Sequence, residues 1–219
     1  MNGNMRNQAI PASTKAVVIV VDDDAGIRNA LSGVLESVGL ECRSYSTADE
    51  LFAIGKLDRP GCLILDVRLP GVSGLELQAK LNLMGNHLPI IFITGFGDIP
   101  MSVRALKAGA VDFLTKPFRD QDVLDAVASA IAKDAARRGD ALETSKLKEL
   151  LASLTPRELE VMNEVTKGAM NKQIAYTLGI TETTVKLHRG NVMRKMQAAT
   201  LVDLVDKVRK LSEMGLISS

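Results

Sequence analysis

Cys62-Leu63-Ile64-Leu65-Asp66 is a short apolar run closed by a carboxylate, and three other apolar runs close on polar residues in the same manner. Ala16 to Val21 ends on Asp22-Asp23, Ile90 to Ile93 on Thr94, and Val111 to Leu114 just before Lys116-Pro117. Short runs rich in Val, Ile and Leu, separated by helical stretches, read as strands of a parallel sheet buried on both faces. Residues just past the strands then share one edge, where ligands bind. Asp22, Asp23, Asp66, Thr94 and Lys116 would bring three carboxylates, a hydroxyl and an ammonium to that edge, a set suited to a divalent metal and a phosphoryl group.

Outward from that run, residues 1–15 are polar and read as a disordered tail. A helix over residues 25–38 carries Ile27, Leu31, Val34, Leu35 and Val38 on one face, with Asp24 as its cap and Gly39 as its stop. Glu41 to Tyr45 alternates polar and apolar, as an edge strand does. Thr47–Glu50 and Ser73–Glu76 both fit the capping box, which places helices over residues 48–54 and 74–84. Helices over residues 100–108 and 120–135 complete a five-fold βα repeat, a doubly wound α/β domain over residues 16–135.

Residues 136–153 read as a helical linker rich in Ala, Lys, Arg and Glu. Leu147, Leu150, Leu151 and Leu154 sit at helical spacing, so its second part packs on the following helices or on a second subunit, unless it is a solvated connector. A second, all-α domain over residues 154–219 opens at Thr155-Pro156-Arg157-Glu158, which combines a capping Thr, Pro in the first turn and Glu at the box position. Four helices follow, ending near Gly168, Gly179, Gln197 and Met214, and the turn Leu178-Gly179-Ile180-Thr181 joins the middle two as in a helix-turn-helix.

Acid gathers in front and base behind: residues 1–135 hold 13 Lys+Arg against 16 Asp+Glu, and residues 136–219 hold 14 against 10. A basic excess in the C-terminal region permits nucleic-acid binding, while a pI near 7.7 excludes a polycationic protein. The apolar run before Asp22 is too short to span a membrane, so a cytoplasmic protein is expected. Cys42 and Cys62 fall inside strands, where reduced thiols act as small hydrophobes.

A carboxylate can attack a phosphoryl donor and become an acyl phosphate, but it repels the incoming group unless positive charge compensates. Mg2+ on Asp22 and Asp23, together with Lys116, would supply that charge. Thr94 offers a hydroxyl that gains a partner only once phosphate is present. Singly, each residue has a plainer reading as a cap, a turn or a surface charge. In order, at four strand ends, they do not.

Val21-Asp22-Asp23-Asp24, Ile64-Leu65-Asp66-Val67-Arg68-Leu69-Pro70-Gly71, Ile93-Thr94-Gly95 and Phe113-Leu114-Thr115-Lys116-Pro117-Phe118 resemble the response-regulator receiver domain, a flavodoxin-like fold. That resemblance implies that Asp66 is the phosphoacceptor and that Asp23, Asp66 and the backbone carbonyl of Arg68 bind Mg2+, with Asp22 acting through water. It also implies that Thr94 and Phe113 are a switch pair, that Lys116-Pro117 is a cis turn, and that the donor is a sensor histidine kinase. Gly95 to Phe113 is similar to the FixJ-like subgroup, with Phe96 where many members carry His. Phosphoesterases of the haloacid-dehalogenase type place an acid/base Asp two positions after the nucleophile; here that position is Arg68, so enzymatic turnover is not expected.

The helix over residues 182–197 carries Lys186, His188, Arg189, Arg194 and Lys195 with Glu182 its only acid. Thr183, Thr184, Lys186, Leu187 and Gly190 should form one face, with Val185, His188, Val192 and Met196 nearer the interior. Leu154-Thr155-Pro156-Arg157-Glu158, Asn171-Lys172-Gln173-Ile174-Ala175 and Thr184-Val185-Lys186-Leu187-His188 resemble the LuxR-type DNA-binding domain. The resemblance implies Lys186, Leu187 and Arg189 as base or backbone readers and Asn171, Thr183, Thr184 and Lys195 on phosphates. Gly190 departs from the polar or basic residue often found there. Together the two resemblances imply a regulator that binds double-stranded promoter DNA as a homodimer on phosphorylation, with RNA polymerase as a further candidate partner. The competing expectation is a phosphorylation-gated module whose C-terminal helices contact protein or RNA.

Overall fold

The computed structural model describes residues 16–55, 59–95 and 99–217, in two compact units that divide between Arg138 and Gly139. The N-terminal unit is built on strands β1 (Val17–Val21), β2 (Glu41–Tyr45), β3 (Gly61–Asp66), β4 (Ile90–Thr94) and β5 (Asp112–Thr115), all parallel, in the order β2-β1-β3-β4-β5. β1, β3 and β4 are buried along their whole length, as their unbroken apolar sequence requires, while half-exposed β2 takes an edge. Helices α2 (Ala48–Ile54), α3 (Gly74–Leu83) and α4 (Ile99–Lys107) cover one face. Helix α1 (Ala25–Ser37) and the first part of α5 (Asp120–Ala152) cover the other.

The local signals act as expected at most helix ends. Asp24 accepts from the Gly26 and Ile27 amides, and Ser73 and Glu76 form a reciprocal capping box. At α2 the box is broken: Thr47 accepts from Glu50, but the Glu50 carboxylate reaches the amide of Ser46. Asp66 belongs to β3 itself, and β5 lies one residue later than the apolar run suggests. Cys42 and Cys62 are unpaired thiols, and burial pushes Cys62 up to about 12.

The largest difference from expectation is α5, which does not stop at residue 135 but runs unbroken for 33 residues through the expected linker. Gly139 alone costs a helix only about 1 kcal/mol, too little to end one whose neighbours are Ala, Arg, Glu and Lys. Its second part belongs to the C-terminal unit. Leu147 is buried there, with Leu150, Leu151 and Leu154 packed around the same core.

That core is shared by α6 (Pro156–Thr166), α7 (Asn171–Leu178), α8 (Glu182–Lys195) and α9 (Leu201–Glu213). Thr155, Thr181 and Thr200 cap three of these helices. Gly179 takes the left-handed conformation (φ 64°) that closes α7 and turns the chain into α8. No helix among the described residues is long and apolar enough to cross a membrane.

Candidate functional site

The parallel register brings the ends of β1, β3, β4 and β5 to one edge, and the side chains there meet. Asp22 is completely buried, Asp66 and Thr94 nearly so, and Asp23 is exposed at the rim. Lys116 Nζ lies 2.6 Å from Asp22 Oδ2 and 2.7 Å from Asp66 Oδ2, bridging carboxylates 44 positions apart in sequence. The peptide before Pro117 is cis, and the Lys116 amide donates to the Thr94 carbonyl at 2.7 Å.

The backbone holds both carboxylates from the opposite side. Asp22 Oδ1 accepts from the Asp24 amide and Asp66 Oδ1 from the Arg68 amide, each at 2.9 Å. Burial pushes the Asp22 carboxyl above its ordinary range, against the hydrogen bonds that favour its charge. Burial also opposes the Lys116 ammonium, but hydrogen bonds to Asp22 and Asp66 outweigh it and hold Lys116 above the usual lysine value.

Asp22, Asp23 and Asp66 each offer a carboxylate oxygen within 4.8 Å of the others. Three carboxylates face one ammonium, all with hard oxygen donors, and this charge deficit fits a divalent cation such as Mg2+. Phe113, expected in a switch pair with Thr94, sits on β5 with its ring 6.5 Å from that of Phe92, the β4 residue it faces in register. Arg68 is exposed and its strand-like bridge to Ser73 starts the turn into α3.

Two residues here carry no sequence signal of their own. Arg28 donates from α1 to the carbonyls of Asp22 (2.7 Å) and Asp23 (3.0 Å), fixing the acidic loop from behind. Gly74 opens α3 directly beneath β3, where a Cβ would stand 2.5 Å from the Asp66 carbonyl. Phe96 lies outside the described residues.

In the C-terminal unit, α8 follows the turn after α7, and Arg157 of α6 donates to the Leu178 carbonyl at that turn. Val185, Val192 and Met196 point into the core, while Thr183, Lys186, Leu187 and Gly190 are exposed along one face, as expected from the sequence; Thr184 and His188 are half-buried between the two. Thr184 shares a hydroxyl contact of 2.9 Å with the capping Thr181. Arg189 donates to Asn171 Oδ1 at 3.2 Å, so two residues expected on DNA meet each other. Lys195 turns inward, donating to Glu158 Oε2 at 2.6 Å and to the Ser153 carbonyl at 2.9 Å. His188 Nδ1 is buried without a hydrogen-bond partner among the described residues.

The family model of the response regulator receiver domain matches residues 18–128, and that of the luxR family of bacterial regulatory proteins matches residues 152–208. Nodulation protein W of Bradyrhizobium diazoefficiens is 53% identical over 194 residues, covering 89% of this chain and 86% of the relative. The transcriptional regulatory protein FixJ of Azorhizobium caulinodans is 43% identical over 189 residues, 86% of this chain and 89% of the relative. Among solved structures, the response regulator StyR superposes with a TM-score of 0.84 at 45% identity, over 90% of this chain and 99% of that one.

Proposed function

Because this chain belongs to the two-component response regulators that join a receiver domain to a LuxR-type DNA-binding domain, with FixJ among its relatives, we propose that Asp66 is its phosphoacceptor and α8 its DNA-reading helix. FixJ is a transcriptional regulatory protein, so the acyl phosphate is read as a signal and not as a turnover intermediate. The observation that carries the acceptor assignment is the Lys116 bridge between Asp22 and Asp66 at the shared sheet edge.

An Asp66 carboxylate oxygen attacks the phosphorus of a phosphohistidine on a sensor histidine kinase. The new O–P bond forms as the P–N bond breaks, and the electron pair leaves with the histidine nitrogen. Asp22, Asp23, Asp66 and the Arg68 carbonyl are the residues that would hold Mg2+, which supplies positive charge against the repulsion between carboxylates and phosphoryl oxygens. Lys116 exchanges its contact with Asp66 for one with the phosphoryl group while keeping Asp22. The Arg68 amide retains Asp66 Oδ1. Thr94 gives its hydroxyl to the phosphoryl group, a contact that exists in only one of the two states and therefore biases them. Phe113 follows as the switch aromatic.

Phosphorylation then favours a homodimer on double-stranded promoter DNA. Its two α8 helices enter successive major grooves about 34 to 36 Å apart, which calls for an inverted repeat. Thr183, Lys186, Leu187 and Arg189 face the bases and backbone, with Thr184 and Asn171 beside them. The site of action is the cytoplasm, where RNA polymerase is the further partner.

Asp66→Asn tests the acceptor. The variant should take no phosphoryl group from a small-molecule phosphodonor and show no donor-dependent gain in dimer or in promoter binding. An Asp66→Asn protein that still responds to the donor refutes the assignment.

A further inference from the structure

A lysine near the C-terminal end of a DNA-reading helix is ordinarily counted toward the phosphates. Lys195 is placed differently. An ammonium has three donors, and two of these are spent inside the unit, on Glu158 Oε2 at 2.6 Å and on the Ser153 carbonyl at 2.9 Å. Glu158 is only 3% exposed, and its Oε2 also accepts from the Thr155 amide at 2.9 Å, as the capping box of α6. The pair is charge-balanced and hydrogen-bonded, the form in which buried charges persist. On the same helix, Lys186 is exposed and makes no ion pair among the described residues.

We propose that Lys195, paired with Glu158, is a positioning residue that fixes the last turn of α8 to the end of α5 and the first turn of α6, and that it neutralises no DNA phosphate. This rests on the reading of α8 as the DNA-reading helix. The Thr181 cap holds one end of α8 and the Lys195 bridge holds the other. Lys186, Leu187 and Arg189 lie between these two anchors, so their approach to base edges depends on both.

The two roles differ in sign at Glu158. If Lys195 served phosphate, Glu158→Gln would release the ammonium and strengthen binding; if Lys195 is an anchor, the same change loosens α8 and weakens it. The experiment measures binding of the full chain to a fluorescently labelled mixed-sequence duplex between about 50 and about 200 mM salt, at a temperature where circular dichroism shows every variant folded. Lys195→Met and Glu158→Gln should each weaken binding about tenfold. The slope of log K against log salt should stay that of the parent, and the double variant should be no weaker than either single. Lys186→Met should reduce the slope by about one.

A slope reduced by about one in Lys195→Met overturns the proposal. So does tighter binding by Glu158→Gln, or a lower melting temperature with unchanged affinity in both variants. Where Lys195→Met does not fold, the sign of the Glu158→Gln effect decides. A parent chain that binds no duplex at any salt instead refutes the DNA-binding reading itself.

Discussion

Gly74→Ala is the sharpest probe of how closely α3 supports Asp66, the proposed acceptor. An ideal Cβ at this position falls 2.5 Å from the Asp66 carbonyl oxygen and 3.0 Å from both Phe92 Cε1 and Val67 Cα. Ordinary contact begins at 3.4 Å, so the helix start and the acceptor strand must separate by roughly 0.9 Å. Two of the three opposing atoms are backbone and the third is a buried ring, so no flexible side chain absorbs the movement. Overpacking of this kind costs about 1 to 3 kcal/mol, which in a unit of this size lowers the melting temperature by about 4 to 12 °C. The displaced carbonyl belongs to Asp66, the proposed acceptor, and a shift of its carboxylate near 1 Å would cost about a hundredfold in rate. Gly33→Ala is the control, since its Cβ meets nothing within 4 Å in the exposed interior of α1 and should stabilise by about 1 kcal/mol. The measurements are thermal unfolding by circular dichroism and the initial rate of phosphorylation by a small-molecule phosphodonor. Gly74→Ala melting with the parent and accepting phosphate at the parent rate refutes this account of the acceptor's support.

Lys116→Met removes the cation that bridges Asp22 and Asp66, and with it a positive charge that competes with Mg2+. Calorimetric titration should show Mg2+ binding at least about tenfold tighter, while phosphorylation slows by about a hundredfold; equal or weaker Mg2+ affinity contradicts the electrostatic picture. For the C-terminal unit, the hydrogen bond from Lys195, aided by that from the Thr155 amide, holds Glu158 down to about 2 from an ordinary 4.5. A depressed carboxylate contributes stability above its unfolded pKa and loses it as pH falls through the folded one. Hydrogen-exchange protection factors in α6 and α8, taken relative to the intrinsic exchange rate at each pH, should therefore fall progressively from about pH 4.5 toward pH 2. Glu158→Gln should flatten that dependence, and an unchanged dependence in the variant removes Glu158 as its cause.

Strand ends were readable because period and composition fix them. Four apolar runs with polar closures place Asp22, Asp66, Thr94 and Lys116 at one edge once the sheet is parallel, and the structure brings them together there. Caps were readable for a similar reason, as Asp24, Ser73, Thr155, Thr181 and Thr200 bond within three residues of themselves. The extent of α5 was not, because a linker rich in Ala, Glu, Lys and Arg has the composition of a helix interior, and only packing by Leu147 shows which unit its second part serves. Arg28 was missed for another reason: a side chain that donates to backbone carbonyls leaves no complementary residue to find.

Lys116 and Lys195 show why a basic residue's type and position do not decide its role. Both are mostly buried, and both touch a carboxylate at 2.6 Å. Around Lys116, three carboxylate groups face one ammonium, and no second basic side chain among the described residues pairs with Asp22 or Asp66. On the proposed reading, that imbalance leaves the site short of positive charge, so it would draw a cation and let Lys116 change partners when a phosphoryl group arrives. Around Lys195, one ammonium meets one carboxylate, and its next donor is satisfied by a backbone carbonyl. The pair is already neutral, so it attracts a phosphate only weakly, and releasing the lysine to meet one would leave the Glu158 carboxylate without its ion pair. On the role proposed for Lys195, the pair is therefore expected to stay closed when DNA is bound. On these proposals, local charge balance, and not the charge itself, separates the lysine assigned to chemistry from the one assigned to hold a helix in place.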